Sequence, residues 1–380
     1  MRGDDGLINI SPERLLDSFL SFARLPGPSL NEKAVADRVL SELTSLNVPA
    51  TLDQAGSRLG GTTGNVIGRL EPSRPDLHWI LLAAHMDTVA QGGVEPVVDG
   101  GIVRSPGDTI LGADDRAAIA AVLEAVRSVL EARAPHLGVE LVFTIGEETG
   151  LLGSKSLDVS GLRSKMAFVV DSSGRPGRII KSAPSHNRIT WKIHGKAAHA
   201  GVAPESGINA IQAASLGIAR MNLGRIDEET TSNLGVIHGG KATNIVCDYV
   251  EVRGEVRSRD KKKLAEQTSH LVDAMRQGAE SVGARVTEDV VLEYEGFDLA
   301  EDHPVVAAAV RACNRCGLVP ELVASGGGSD ANVLNAEGIP SVNLAVGYVN
   351  PHSSDERIAI SDLQAITCLL VELISPRDLV

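Results

Sequence analysis

Residues 79–87 read WILLAAHMD, six apolar positions that run without a break into His85, Met86 and Asp87. A strand buried on both faces of a parallel sheet has this continuous apolar form, whereas a half-exposed strand alternates. Three further runs share it. VELVFTI at 139–145 leads into Gly146, Glu147 and Glu148, MAFVV at 166–170 leads into Asp171, and SVNLAV at 341–346 is followed after a glycine-containing turn by His352. Functional side chains in open parallel sheets gather at the carboxyl ends of the strands. The four polar tips are therefore expected to converge, with Asp114 and Asp115 joining them from a glycine-containing loop.

Between the first two runs, residues 115–133 are rich in Ala and Leu with Glu and Arg interleaved, and read as a crossover helix. Residues 31–46 read as another, and Ser11 followed by Pro12 reads as an N-cap with proline at the first helical position. Strands alternating with helices imply an α/β fold, a mixed and mostly parallel sheet with flanking helices. A different texture begins near Ser185. ITWKIH at 189–194 and YVEVRGEV at 249–256 alternate as half-exposed antiparallel strands do, ARVTEDVVLEY at 284–294 reads as one more, and 207–221 and 261–282 read as helices. The chain is thus expected to hold a catalytic domain in two segments, 1–183 and 298–380, with a smaller α+β domain inserted at 184–297.

Composition narrows the function. The 380 residues carry a net charge of −13, which argues against a nucleic-acid partner because phosphate binding wants a basic surface. No stretch is apolar for the ~18 residues that a membrane span requires. The first twenty residues hold no uninterrupted apolar region of the kind a signal peptide has. Four cysteines (Cys247, Cys313, Cys316 and Cys368) are too few for a disulfide framework in a chain of this length, and a cytoplasmic location is expected. Aromatic residues make up only 3%, so the core must be built from Ala, Val, Leu and Ile.

Each polar tip taken alone has an ordinary explanation. A His-x-Asp after a strand is usually a local hydrogen-bonded pair, Glu-Glu is usually solvated, and Asp-Asp before a helix usually serves its dipole. Together they put two imidazoles and at least five carboxylates at one edge of one sheet. That density of negative charge is very costly unless cations neutralise it. Nitrogen and oxygen donors without thiolate suit zinc, manganese or cobalt. Five ligands exceed what a single catalytic zinc takes from protein, so two divalent ions sharing a carboxylate is the simplest solution.

The wording of the motifs resembles a known family, the co-catalytic di-zinc peptidases that include peptidase T, succinyl-diaminopimelate desuccinylase and aminoacylase. The matching stretches are LLAAHMDTV at 81–89, LGADDRAAIAA at 111–121, FTIGEETGLLGSK at 143–155, VVDSSG at 169–174, GKAAHAGVAPESGINAI at 195–211, GGKATNIVCD at 239–248, SGGGSDANVLNAEGIPSVNLAVG at 325–347 and PHSSDE at 351–356. They run in the family's order over nearly the whole chain, and are most similar to its peptidase T-like branch. The resemblance implies a zinc exopeptidase-like fold in which the inserted domain is a lid through which two copies dimerise. It implies that His85 and Asp171 hold one metal, Glu148 and His352 the other, and Asp114 both, with a cis peptide after Asp114. Glu147 takes the role of general base, and Asp87 orients the imidazole of His85. His199 is implied to stabilise the oxyanion, often from a neighbouring subunit. Arg257 is implied to hold a substrate carboxylate and Asn244 to contact substrate. The glycines at 326–328 read, from the residues themselves, as backbone that brings its amides to substrate at Gly327, and equally as a mobile turn or a phosphate loop.

Other signals carry less. Cys313 and Cys316 form a CxxC late in an Ala/Val-rich helix with no second pair, which favours a structural role. Ser329 lacks the glycine pattern of a nucleophile elbow, and the glycine-rich segments fit neither the Rossmann nor the Walker spacing. The expected function is a metal-dependent exopeptidase acting on short di- and tripeptides. Its rivals are an amidohydrolase that removes an acyl group from an amino acid with the same metals, and a non-catalytic peptide-binding protein on the same fold.

Overall fold

The computed structural model describes residues 8–89 and 93–379. The chain forms two compact units, one comprising residues up to 182 with 299–324 and 329–380, the other 183–298 with 325–328.

At the centre of the first unit lie four neighbouring parallel strands in the order Gly138–Thr144, Trp79–His85, Ala167–Ser172 and Ser341–Ala345. These are the four apolar runs of the sequence. Every residue of Gly138–Thr144 and of Ser341–Ala345 is buried, the polar Glu140, Thr144, Ser341 and Asn343 among them, as strands covered on both faces are. Antiparallel strands extend the sheet. Val66–Leu70 and Ala50–Leu52 lie beyond Gly138–Thr144, and Arg178–Ala183 lies beyond Ser341–Ala345 with Glu321–Ala324 parallel to it.

The crossover helix, Ala113–Glu131, packs on Trp79–His85 and between the helices Pro12–Ala23 and Ile360–Ile374. Squeezed from several sides, it is buried almost all round, which explains its run of alanines: small side chains let neighbouring backbones approach closely. Ser11 caps Pro12–Ala23 by accepting from Arg14 N–H, with Pro12 at the first position. Register aligns the strand tips. His85 pairs with Thr144, and Met86 N–H continues the ladder by donating to Thr144 O at 2.8 Å. A small sheet of 97–99, 102–104, 348–349 and 357–359 escaped the sequence reading, because its strands of two or three residues hold no periodicity.

The second unit is an antiparallel sheet in the order Gly224–Arg225, Thr230–Gly239, Tyr249–Ser258, Ser185–His194, Arg285–Tyr294. The inward positions Ile189, Trp191, Ile193, Val250, Val252 and Val256 form a core with the helices Ala210–Ile218 and Lys261–Glu280. Thr230–Gly239 (TTSNLGVIHG) was not foreseen: two glycines, an asparagine and a bulge between Leu234 and Val236 break its alternation. Residues 325–328 pack here too. The backbone of Gly328 lies against the ring of Tyr294, where a Cβ has no room.

The two helices of this unit meet at Gly217 and Gly278, and a Cβ on Gly278 collides with the backbone of Gly217. Gly278→Ala gains about 1 kcal/mol of helix propensity but forces the helices apart, at a cost of roughly 1–3 kcal/mol or more in a packed contact. The expected net result is a lower melting temperature, measured by calorimetry; an unchanged or raised value contradicts the close approach.

Candidate metal centre

The residues at the strand tips come together. His85 ends its strand and is buried, with Nε2 at 3.0 Å from Asp114 Oδ1 and 3.7 Å from Asp171 Oδ1. His352, in the turn after Ser341–Ala345, has Nε2 at 2.8 Å from Glu148 Oε1 and 3.3 Å from Asp114 Oδ2. Asp114 therefore faces the two sets with its two different oxygens. Each set, His85 with Asp114 and Asp171 and Asp114 with Glu148 and His352, offers ligand atoms within 4.8 Å of one another. His85, Glu147 and Glu148 satisfy the same limit, which brings the Glu147 carboxylate to the same place.

The electrostatics match that crowding. Burial, reinforced by the charge of Asp171, pushes the Glu147 carboxyl well above the usual range, and burial does the same to Asp171. Burial also opposes charge on Asp114, but hydrogen bonds from His352 and His85 outweigh it and hold that carboxyl low. Hydrogen bonds to Asp114 and Glu148 raise the His352 imidazole to about 10. Such a set of crowded, desolvated carboxylates and imidazoles fits divalent cations, which oppose the repulsion directly. Among the described residues His85 Nδ1 is buried without a hydrogen-bond partner, with Asp87 Oδ1 at 3.4 Å.

The surrounding contacts are specific. Asp87 accepts from Glu147 N–H at 2.9 Å and from Glu148 N–H at 3.2 Å, holding the turn that carries both glutamates. The peptide Asp114–Asp115 is cis. Asp115, buried, accepts from His85 N–H at 3.1 Å. Several contributors were absent from the sequence reading. Glu356 accepts from Gly112 N–H at 2.7 Å and Asp114 N–H at 2.9 Å, Tyr348 donates to Asp171 Oδ1 at 3.2 Å, and Asn343 exchanges two hydrogen bonds with the Asp171 backbone. Asp330, buried, accepts from Thr144 at 2.6 Å and adds a further negative charge near Glu147. The one legible signal was Asn343, a polar residue inside an apolar run. Ser329 is the N-cap of Asp330–Ala336, in a capping box with Asn332. Cys313 and Cys316 are free thiols that burial pushes up to about 11 and about 12, which suits the structural role expected of them.

The remaining candidates lie in the second unit. His199 is exposed and its Nδ1 accepts from Gly201 N–H at 3.2 Å. It bridges to Ile245, next to exposed Asn244, whose carbonyl accepts from Ala200 N–H at 3.0 Å. Arg257 meets Glu255 through two parallel hydrogen bonds of 3.0 Å and donates to Tyr294 at 3.2 Å. Together His186 and Arg257 hold the Glu255 carboxyl down to about 2. Gly327 adjoins Arg257, since a Cβ placed on it would stand 3.9 Å from Nη1.

Comparison with known proteins identifies relatives of the chain as a whole. Residues 185–282 match the family described as peptidase dimerisation domain (M20), and residues 65–213 match peptidase family M28. An uncharacterised Bacillus subtilis protein, YqjE, is 40% identical over 96% of this chain and 98% of its own length. The crystal structure of aminopeptidase PepT from Bacillus cereus is 39% identical, covering 97% of this chain and 99% of that one, with a TM-score of 0.89. A tripeptidase structure from Staphylococcus aureus is 35% identical over the same shares of the two chains, with a TM-score of 0.92.

Proposed function

The chain belongs to the M20 peptidase family, on its peptidase T-like branch, and from that premise we propose a metal-dependent exopeptidase that removes the N-terminal residue of tripeptides. The observation that carries the proposal is Asp114, whose two oxygens face two separate imidazole–carboxylate sets. The choice of tripeptides and of the N-terminus is supported by the names of the two similar structures, a tripeptidase and an aminopeptidase.

In this reading His85 and Asp171 hold one divalent ion, Glu148 and His352 the second, and Asp114 both. The oxygen and nitrogen donors favour zinc, with cobalt or manganese as substitutes. When bound, the pair supplies Lewis acidity toward the scissile carbonyl and makes water more acidic. Glu147 takes a proton from the attacking water and passes it to the leaving amine. Asp87 aims that base through the N–H groups of Glu147 and Glu148, and its carboxylate also faces the imidazole of His85. His199 donates to the oxygen that gains charge as the carbonyl is attacked. Arg257, with a rigid guanidinium fork, reads a substrate carboxylate, assisted by Asn244 and the backbone at Gly327. A homodimer through the second unit is supported by the match of residues 185–282 to a dimerisation domain. Cytoplasmic location is supported by the free thiols; among the described residues no helix is long and apolar enough to cross a membrane.

The test is a substrate panel. Protein dialysed against zinc, cobalt or manganese is offered di- and tripeptides and N-acyl amino acids, and products are read by mass spectrometry. Tripeptides are expected to lose their first residue while N-acyl amino acids survive. Turnover of N-acyl amino acids with tripeptides left intact overturns the peptidase reading in favour of a deacylase.

A further inference from the structure

The turn that carries Glu147 and Glu148 hangs on three backbone N–H groups. Those of Glu147 and Glu148 go to Asp87, and that of Gly146 donates to Glu32 Oε1 at 2.9 Å. Glu32 is fully buried, and the same oxygen accepts from Leu30 N–H at 2.7 Å, closing a tight turn in which Leu30 has φ of 67°. Ser29, on the same segment, donates to Asp87 Oδ2 at 2.6 Å. The segment is fastened to the end of the His85 strand by Thr88 N–H, which donates to Gly27 O at 3.0 Å. Gly146 itself, with φ of 59°, is pressed between Leu30 and Leu152, where a Cβ would stand 3.4 and 3.3 Å from their side chains. Residues 27–32 thus grip the glutamate turn at its first N–H and, through Asp87, at the next two.

Burying Glu32 beside Asp87 calls for a nearby positive charge. Arg116 is buried too, close enough to Gly27 that a Cβ there would come within 2.5 Å of Nη2, and Asp87, Glu32 and Asp115 are the charges that act on it. None of its three guanidinium nitrogens has a hydrogen-bond partner among the described residues. Arg116 therefore neutralises without occupying the carboxylate lone pairs, which stay available to the backbone N–H groups of the turn.

We infer that Glu32 is a positioning residue that sets the reach of Glu147, with Arg116 as the cation that lets it be buried; this rests on Glu147 being the general base. A base must lie within hydrogen-bond reach of the proton it takes. Releasing Gly146 loosens the turn at one of its anchors without touching a metal ligand.

The experiment compares Glu32→Met, which keeps the volume and removes the acceptor, with Glu32→Gln, which keeps an acceptor oxygen. Glu32→Met is expected to lower kcat about 10- to 100-fold with KM within about threefold, the scale of a misplaced catalytic group. Its metal content, read by plasma mass spectrometry, should equal that of the wild type, and Glu32→Gln should restore most of kcat. Wild-type kcat in Glu32→Met overturns the inference, as does loss of metal in step with kcat, or a failure of Glu32→Gln to rescue. If Glu32→Met does not fold, Ser29→Ala loosens the same grip and Ser29→Thr is its rescue, with the same split of kcat from KM expected and the same outcomes overturning it. Glu147→Gln is assayed alongside: turnover in that variant sinks the general base itself, whatever the Glu32 variants do.

Discussion

Glu147→Gln is expected to keep the metal ions of the wild type and to lose turnover by roughly 10²–10⁴-fold, the usual contribution of a general base. The substitution is nearly isosteric, and the turn is held by its backbone: the Glu147 and Glu148 N–H groups bond to Asp87 and the Gly146 N–H to Glu32. Replacing the Glu147 carboxylate leaves all of these in place. Glu148, whose carboxylate lies 2.8 Å from His352, is untouched as well. What disappears is an acid that stands outside both of the imidazole–carboxylate sets around Asp114. The amide can accept a hydrogen bond from water but cannot carry its proton away. Metal content by plasma mass spectrometry and kcat on a tripeptide make the measurement. An amide variant that turns over like the wild type assigns the base elsewhere, and one that sheds its metal makes Glu147 a ligand.

The legible part of this protein is the part whose physics is local. The runs at 79–84, 139–145, 166–170 and 341–346 announce buried parallel strands because burial on both faces favours apolar residues at successive positions, and the four strands are neighbours in the sheet. The residues after them, His85, Glu147, Glu148 and Asp171, could be placed together by that logic alone. His352 is harder, since a turn with its own short strand, Tyr348–Val349, separates it from Ser341–Ala345. Assigning it a partner needed the family's motif order.

What stayed hidden depends on contacts between distant parts of the chain. Glu356 reaches Gly112 across 244 positions, and Glu32 reaches Gly146 across 114. In the sequence, Glu32 is an acid at a helix start, a place where solvated acids are common for reasons of dipole alone. Arg116 sits in the alanine-rich crossover helix as a charge that ordinary patterning sends to solvent, yet it is buried. Thr230–Gly239 was invisible for the opposite reason: it lies near the edge of its sheet with most of its residues outside the core, so selection for burial has not written a period into it.

Asp114→Asn is expected to do more damage than any other single change at the site, because it acts on both sets at once. Asp114 Oδ1 stands 3.0 Å from His85 Nε2 and Oδ2 stands 3.3 Å from His352 Nε2. An asparagine offers one oxygen and one amide nitrogen that has no lone pair to give, so whichever way it turns, one set loses its shared ligand. It also removes the negative charge that best offsets two neighbouring cations. The loop has little reason to move, since Glu356 holds it through the backbone N–H groups of Gly112 and Asp114, which the substitution preserves. His352→Ala, by contrast, strips only the set it shares with Glu148. Asp114→Asn should therefore retain less metal per chain than His352→Ala and show less turnover than Glu147→Gln, with metal content and kcat/KM on a tripeptide as the readouts. If Asp114→Asn kept the full metal content and near-normal kcat/KM, the two sets would be independent, and the shared carboxylate on which the catalytic reading depends would be wrong.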